Sequence, residues 1–302
     1  MNRIQAAWHD FWFQPEPPEA LGACRILFFG GLFVAFAGID FSPLCRVAEA
    51  FWMPTSFYCL ISAHGPPSVA AVIGMQTVWK VSLLASAAGF LTRFSTLVSG
   101  LLGLYLIGLT YNFGKVDHDM AVTGMILFIM PLSACGRIWS IDEWIARRQG
   151  RSLPPLTGEE ARWPIQFARV AITLLMFGAG VNKLRSSGIP WITSDTMRTY
   201  LILKEAPLGL WLAQWPLFCH FLAGFAVVTE FFYPVALISK RLARLWVPEG
   251  FAMFTGIYFL LNVSFFFLMF LNFFWLPWGR FFPRKSILPA PAADGESEKL
   301  PA

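Results

Sequence analysis

Apolar residues in this chain come in long runs, not in the three-or-four spacing of a helix with one wet face. A membrane helix takes ~20 mostly apolar residues. Runs of that kind lie near 20–39, 67–90, 94–112, 119–136, 163–184, 209–238 and 247–277. The last two are long enough to tilt, kink or split, so the pattern predicts about seven spans, with eight or nine allowed. Residues 2–13 (NRIQAAWHDFWF), within the 1–16 stretch, predict an interfacial amphipathic helix before the first span. Residues 46–62 and 192–204 predict similar pieces on the opposite side. The Pro-, Ala- and Glu-rich stretch 283–302 predicts a disordered tail. The fold class expected is therefore all-α: one polytopic helical membrane bundle over residues 1–282, with no internal repeat and no separate soluble domain.

Composition strengthens this picture. Of 302 residues, 56% are hydrophobic and 14% are charged, against ~45–50% and ~25% for soluble domains. One soluble core could not hide that much apolar surface. The net charge is +5, but the basic residues lie between apolar runs, as in a membrane protein that orients itself, and not in a nucleic-acid footprint. The cluster Arg137, Arg147, Arg148, Arg151 and Arg162 predicts a cytoplasmic loop, and with it a cytoplasmic N-terminus; the expected location is a bacterial inner (plasma) membrane. No signal-peptide apolar region is legible in residues 1–20. The cysteines Cys24, Cys45, Cys59, Cys135 and Cys219 have neither disulfide-type nor metal-type spacing.

Ionisable groups at membrane depth are costly and mark a partner or a wet cavity. Arg25, Lys80, Arg169, Lys183 and Glu230 fall inside predicted spans. Arg25 and Glu230 both map to the cytoplasmic half, where they predict an ion pair between two helices or the lining of a polar cavity. Lys80, near Gln76, has no evident partner. Lys183 ends the fifth run in MFGAGVNKLRSSGIPW. It reads either as a snorkelling boundary lysine or as a general base at a desolvated helix end. Gly178 and Gly180 before it would allow a backbone or a flat ligand to approach closely. His118, between Asp117 and Asp119, starts the fourth run on the outer side; a neighbouring carboxylate could fix its tautomer. The other histidines, His9, His64 and His220, are scattered, so no metal site is expected.

The order of five segments resembles one family, the transmembrane core of vitamin K-dependent γ-glutamyl carboxylase, or HTTM (horizontally transferred transmembrane) domain. The segments are PEALGACRILFFG with Arg25, LTRFS at 91–95, HDMAVTGMILFIMPLSACGRIWSIDE at 118–143, RVAITLLMFGAGVNKLRSSGIPW at 169–191, and GFAVVTEFFYPVALISKRLAR at 224–244. Arg169, Gly180, Lys183 and Trp191 fall on the most specific pattern, and the resemblance spans roughly residues 17–275. It implies an enzyme, a lyase or oxidoreductase, that oxidises a reduced vitamin K-type naphthoquinone with O₂. In that chemistry Lys183 is the base and His118 supports the oxyanion. Arg25, Arg169, Asn182, Trp191 and Glu230 would contact the quinone or substrate. The chain departs from the family at Asn182, where a second lysine would stand, and at Leu260, at or near a further histidine.

Two readings follow. One is a quinol/O₂-dependent carboxylase- or epoxidase-like enzyme. The alternative is a non-enzymatic HTTM membrane protein for maturation, export or immunity of a secreted peptide. Expected partners are the lipid bilayer, and a secreted peptide or a separately encoded substrate-recognition protein, with no nucleic acid. A transporter fits less well, since no inverted repeat or pair of broken helices is legible.

Overall fold

The structure is a computed structural model, and it describes residues 2–55, 58–61, 65–113 and 120–282. Every regular element among them is helical. Asn2 and Gln5 cap α1 (Arg3–Phe13) reciprocally. This helix buries none of its residues and leaves Ile4 and Trp8 largely exposed, as an interfacial helix would.

Pro18 opens α2 (Pro18–Phe36), where its missing N–H costs nothing. The helix is apolar round most of its circumference and is correspondingly buried: Leu21, Cys24, Phe28, Phe29 and Leu32 have no exposed surface. Antiparallel to it runs α3 (Val69–Ala88). Near the start of α3, Gln76 accepts from the Phe41 N–H and Lys80 donates to the carbonyls of Ala37 and Ile39. Those carbonyls lie just past the end of α2, so they supply the partner that Lys80 lacked in sequence. Next comes α4 (Thr92–Leu109), which continues as a tighter turn to Phe113.

Close packing of α3, α4 and α5 (Ala121–Ile129) depends on small residues. A Cβ on Gly100 would sit 2.9 Å from the Leu127 carbonyl oxygen, and one on Gly103 would sit 2.9 Å from the Trp79 indole nitrogen. Buried Ser99 of α4 hydrogen-bonds to both Ser82 and Ser86 of α3, at 2.8 and 3.0 Å.

Beyond α5 the chain forms α6 (Ile141–Arg148) and then α7 (Gly158–Ser187), the longest helix, capped reciprocally by Thr157 and Glu160. Three short helices, Pro190–Thr193, Thr196–Leu203 and Pro207–Leu212, lead to α8 (Pro216–Phe232). The chain then forms α9 (Lys240–Leu261) and α10 (Phe266–Phe270). One main core joins these elements. Phe28 of α2, for example, meets Phe267 and Phe274.

Five helical segments are long and apolar enough to cross a membrane: Pro18–Phe36, Val69–Ala88, Thr92–Phe113, Gly158–Ser187 and Pro216–Ile238. Their outward faces carry exposed apolar side chains such as Val34, Leu101 and Leu217, the surface that lipid tails accept. The run at 119–136 is continuously helical only over Ala121–Leu132 among the described residues, because Pro131 tightens and ends it. The run at 209–238 breaks at Trp215–Pro216, so its first part is a separate short helix. The run at 247–277 splits at Asn262, which adopts φ 49°, and α9 opens on Lys240, Arg241 and Arg244. The expected tail at 283–302 lies outside the described residues.

Candidate functional site

Among the described residues, three groups of charges besides Lys80 stand out between the helices. The first is near the C-terminal end of α7. Lys183 Nζ donates to both carboxylate oxygens of Glu230, on α8. The lysine side chain is 23% exposed and the glutamate 7%. Helices α7 and α8 run antiparallel, with Phe177 on Phe231 and Gly224 near Ile192. Gly180 makes the contact possible: a Cβ there would lie 2.7 Å from the Phe231 nitrogen and 3.0 Å from its Cα. The Trp191 ring faces the ammonium at 5.2 Å. Thus Lys183, Glu230 and Trp191, 47 residues apart at the widest in sequence (230 − 183), come together. Gly178 has open space around it, and Asn182 is exposed on the helix surface.

This geometry corrects the expected Arg25–Glu230 pair. Because α8 begins only at Pro216 and runs against α7, its late turns reach the last turns of α7, far from Arg25. The Arg25 side chain is fully buried and donates instead to backbone carbonyls: Cys135 at 2.5 Å, Trp139 at 2.6 Å, Ile138 at 3.1 Å and Ala87 at 3.4 Å. It thereby ties the end of α3 to the turns before α6. Next to it, Asp142 accepts from the N–H groups of Leu91 and Thr92 and from the Thr92 hydroxyl, at 2.7–2.8 Å. Gly89, at φ 71°, passes so close to Ser140 and Arg25 that a Cβ would sit 2.9 Å from Ser140 Cα. Three of the segments quoted for the family resemblance therefore meet in one backbone-capping knot.

The third group lies about 21 Å along α7 from Lys183, at 1.5 Å for each of the 14 residues between positions 169 and 183. Arg169 donates through Nη1 to Glu16 at 2.9 Å and through Nε to the Phe274 carbonyl at 2.9 Å. Arg162 donates to the same Glu16 oxygen at 2.5 Å. Glu16 sits in the short loop between α1 and α2, held to the start of α7 by its own N–H on the Gly158 carbonyl. Burial pushes the Glu16 carboxyl up, but the two guanidiniums outweigh it and hold its pKa below the usual carboxylate range. Sequence reading missed Glu16 as a partner and counted Arg162 only as a loop charge. Neither has a local pattern, because their contact spans 146 residues.

His118 lies outside the described residues. An open groove of about 440 Å³ lies between α4 and α5, lined by residues such as Leu104, Tyr111, Met125 and Phe128, with Phe167 of α7. Neither Lys183 nor any other charged side chain among the described residues lines it. Among the described residues, no three His, Cys, Asp or Glu side chains gather as a metal-ligand set.

Fold and site together define a class: a helical bundle, five of whose segments are apolar and long enough to cross a membrane, with charged groups held between its helices. No family model, no curated protein and no solved structure matches the chain.

Proposed function

We propose that this protein is an integral membrane protein of the HTTM, carboxylase-core type, and that the Lys183–Glu230–Trp191 group is its working site. The observation that supports this is the meeting of Lys183 with Glu230. Two segments quoted for the resemblance, 169–191 and 224–244, are joined at the one lysine that the resemblance makes a base. On this reading α5 and α9 add to the five longer segments, which makes seven crossings, the lower end of the expected seven to nine. The N-terminus and the loop with Arg137, Arg147, Arg148 and Arg151 then face the cytoplasm of a bacterial cell.

In the enzymatic form of the proposal, Lys183 and Trp191 would hold a reduced naphthoquinone, and Lys183 would accept the proton of its acidic hydroxyl. As a paired ammonium it carries no free lone pair. It becomes a base only when its own proton has moved, and Glu230 is an acceptor already in contact. The indole face of Trp191 offers a flat surface beside Nζ. The 440 Å³ groove is separate from Lys183. The test is purified protein in nanodiscs, supplied with reduced naphthoquinone and O₂ and assayed for the epoxide by mass spectrometry. Turnover in the wild type and none in Lys183→Ala is the expected result. No turnover in the wild type, or equal turnover in a folded Lys183→Ala variant, sinks the enzymatic form.

The ion pair itself favours a second reading, in which the scaffold serves a secreted peptide without catalysis. A lysine neutralised by a carboxylate in the resting protein is a helix-to-helix fastener before it is a base. A double variant, Lys183→Met with Glu230→Met, that still supports maturation, export or immunity of a co-encoded peptide would favour that reading. Loss of all three in a folded variant would count against it.

A further inference from the structure

The cations of the bundle differ in how their charge is met. Lys183 has a carboxylate of its own, and Arg25 has backbone carbonyls. Arg162 and Arg169 share one carboxylate, and both bond the same oxygen of it. Their exposures are only 9% and 7%. Among the described residues no second carboxylate lies within ion-pair reach of either guanidinium. The cluster therefore holds one positive charge in excess, in a place where water does little to screen it.

Hydrogen-bond donors are in excess as well. Arg162 Nε is buried without a partner, as is the indole nitrogen of Trp275. The Nη2 groups of both arginines have no acceptor among the described residues. The Trp275 ring faces the Arg169 guanidinium at 5.8 Å. Trp278 lies beside Cys24, which is itself within electrostatic reach of Arg169 and Glu16. Buried unpaired charge and unmet buried donors are both costly, and native interiors rarely leave them together. One anion would answer both deficits. A pair of planar guanidinium forks with flanking N–H donors matches an oxyanion in shape as well as charge. The position suits a membrane surface too, since Glu16 follows α1, whose exposed Trp8 is a side chain favoured at membrane–water boundaries.

We propose that the Glu16–Arg162–Arg169 cluster binds a phosphate-type oxyanion between the loop at 14–17, the first turns of α7 and the 274–278 segment. The phosphate belongs either to a lipid headgroup or to a free ion. Glu16 competes with it: the carboxylate holds the two guanidiniums in place and lowers their net charge.

The test uses the full-length protein. One arm follows thermal unfolding in neutral detergent with inorganic phosphate against chloride at equal ionic strength. The other follows it in phosphatidylcholine nanodiscs with and without phosphatidylglycerol. Anion binding to the folded state raises the unfolding temperature, by an amount that grows with the logarithm of anion concentration above Kd. Arg162→Gln removes a charged donor and is expected to weaken the response by about tenfold or more. Glu16→Gln removes the competing carboxylate and is expected to tighten it by about tenfold. These opposite signs separate a binding site from a merely structural ion-pair cluster, in which both variants only destabilise. If Arg162→Gln fails to fold, Arg162→Lys keeps the charge but not the fork, and is expected to weaken the response less. A response to inorganic phosphate points to a free oxyanion, and one to phosphatidylglycerol alone points to a headgroup; either upholds the site. No response in either arm, or responses that none of the variants changes, overturns it.

Discussion

Arg25 and Lys183 each sit on a helix apolar enough to cross a membrane, and each carries a charge that lipid would reject. Their partners differ in kind. Arg25 is fully buried and bonded to four backbone carbonyls. Those acceptors are fixed by the fold and do not titrate. Lys183 is partly exposed and bonded to Glu230, a group that can gain or lose a proton. The first arrangement can only hold helices together. The second also holds them, but with a proton that can move. The difference teaches that a charge inside a bundle is best judged by what neutralises it: rigid dipoles mark structure, and a titratable partner leaves room for chemistry.

The sharpest way to break the comparison is Arg25→Met. It strands four carbonyls, one at the end of α3 and three in the turns before α6, in a dry site, and the expected loss is about 3–5 kcal/mol. Thermal unfolding in detergent, with the yield of folded protein in membranes, measures it. A loss within about 0.5 kcal/mol, the usual size at an unimportant surface position, would mean that the knot is not structural.

The pair at Lys183 is tested by a double-mutant cycle. Lys183→Met leaves Glu230 buried without its cation, and Glu230→Gln leaves the ammonium short of a charge. The double variant is expected to recover part of the loss, with a coupling of about 1–3 kcal/mol. Additive losses would show that the two side chains do not depend on each other.

Glycine substitutions sharpen the same contrast, with smaller effects. Gly180→Ala pushes a methyl against the Phe231 backbone, which cannot yield as a side chain would. The expected cost is about 1–3 kcal/mol, with a looser Lys183–Glu230 contact. Gly178→Ala, two residues earlier and in open space, is expected to be neutral or to stabilise the helix by up to about 1 kcal/mol. Equal effects at the two positions would remove Gly180 as the reason α7 and α8 approach so closely.

The smallest effect concerns pH. Glu16 has a folded pKa below its ordinary value, so its contribution to stability is fully present above the ordinary carboxylate pKa. It is lost as pH falls through the lowered folded pKa. Wild type and Glu16→Gln are therefore expected to differ at neutral pH and to converge in acid. Unfolding curves taken down the pH scale measure this, and a gap that widens in acid would reverse the sign.

Much of the architecture was legible in the chain. Runs of twenty apolar residues announce spans because no other environment accepts them, and α2, α3, α4, α7 and α8 fall where such runs lie. The cations within or beside them were visible for the same reason. Span ends were less legible, because Pro131, Pro216 and Asn262 divide runs whose average hydropathy hides a break. Partners were least legible. Lys80 finds its carbonyls 41 and 43 residues away, and Arg162 finds Glu16 at a separation of 146.

What the sequence determined by itself was the solvent this protein requires and the helices it forms, since both follow from local composition and length. It also determined which charges needed an explanation. Tertiary structure alone decided who neutralises whom. The antiparallel course of α7 and α8 carries Glu230 to Lys183 and away from Arg25. The loop before α2 folds back to set one carboxylate between two buried arginines. Electrostatic pairing depends on distances of a few ångströms between side chains far apart in the chain, and only packing sets those distances.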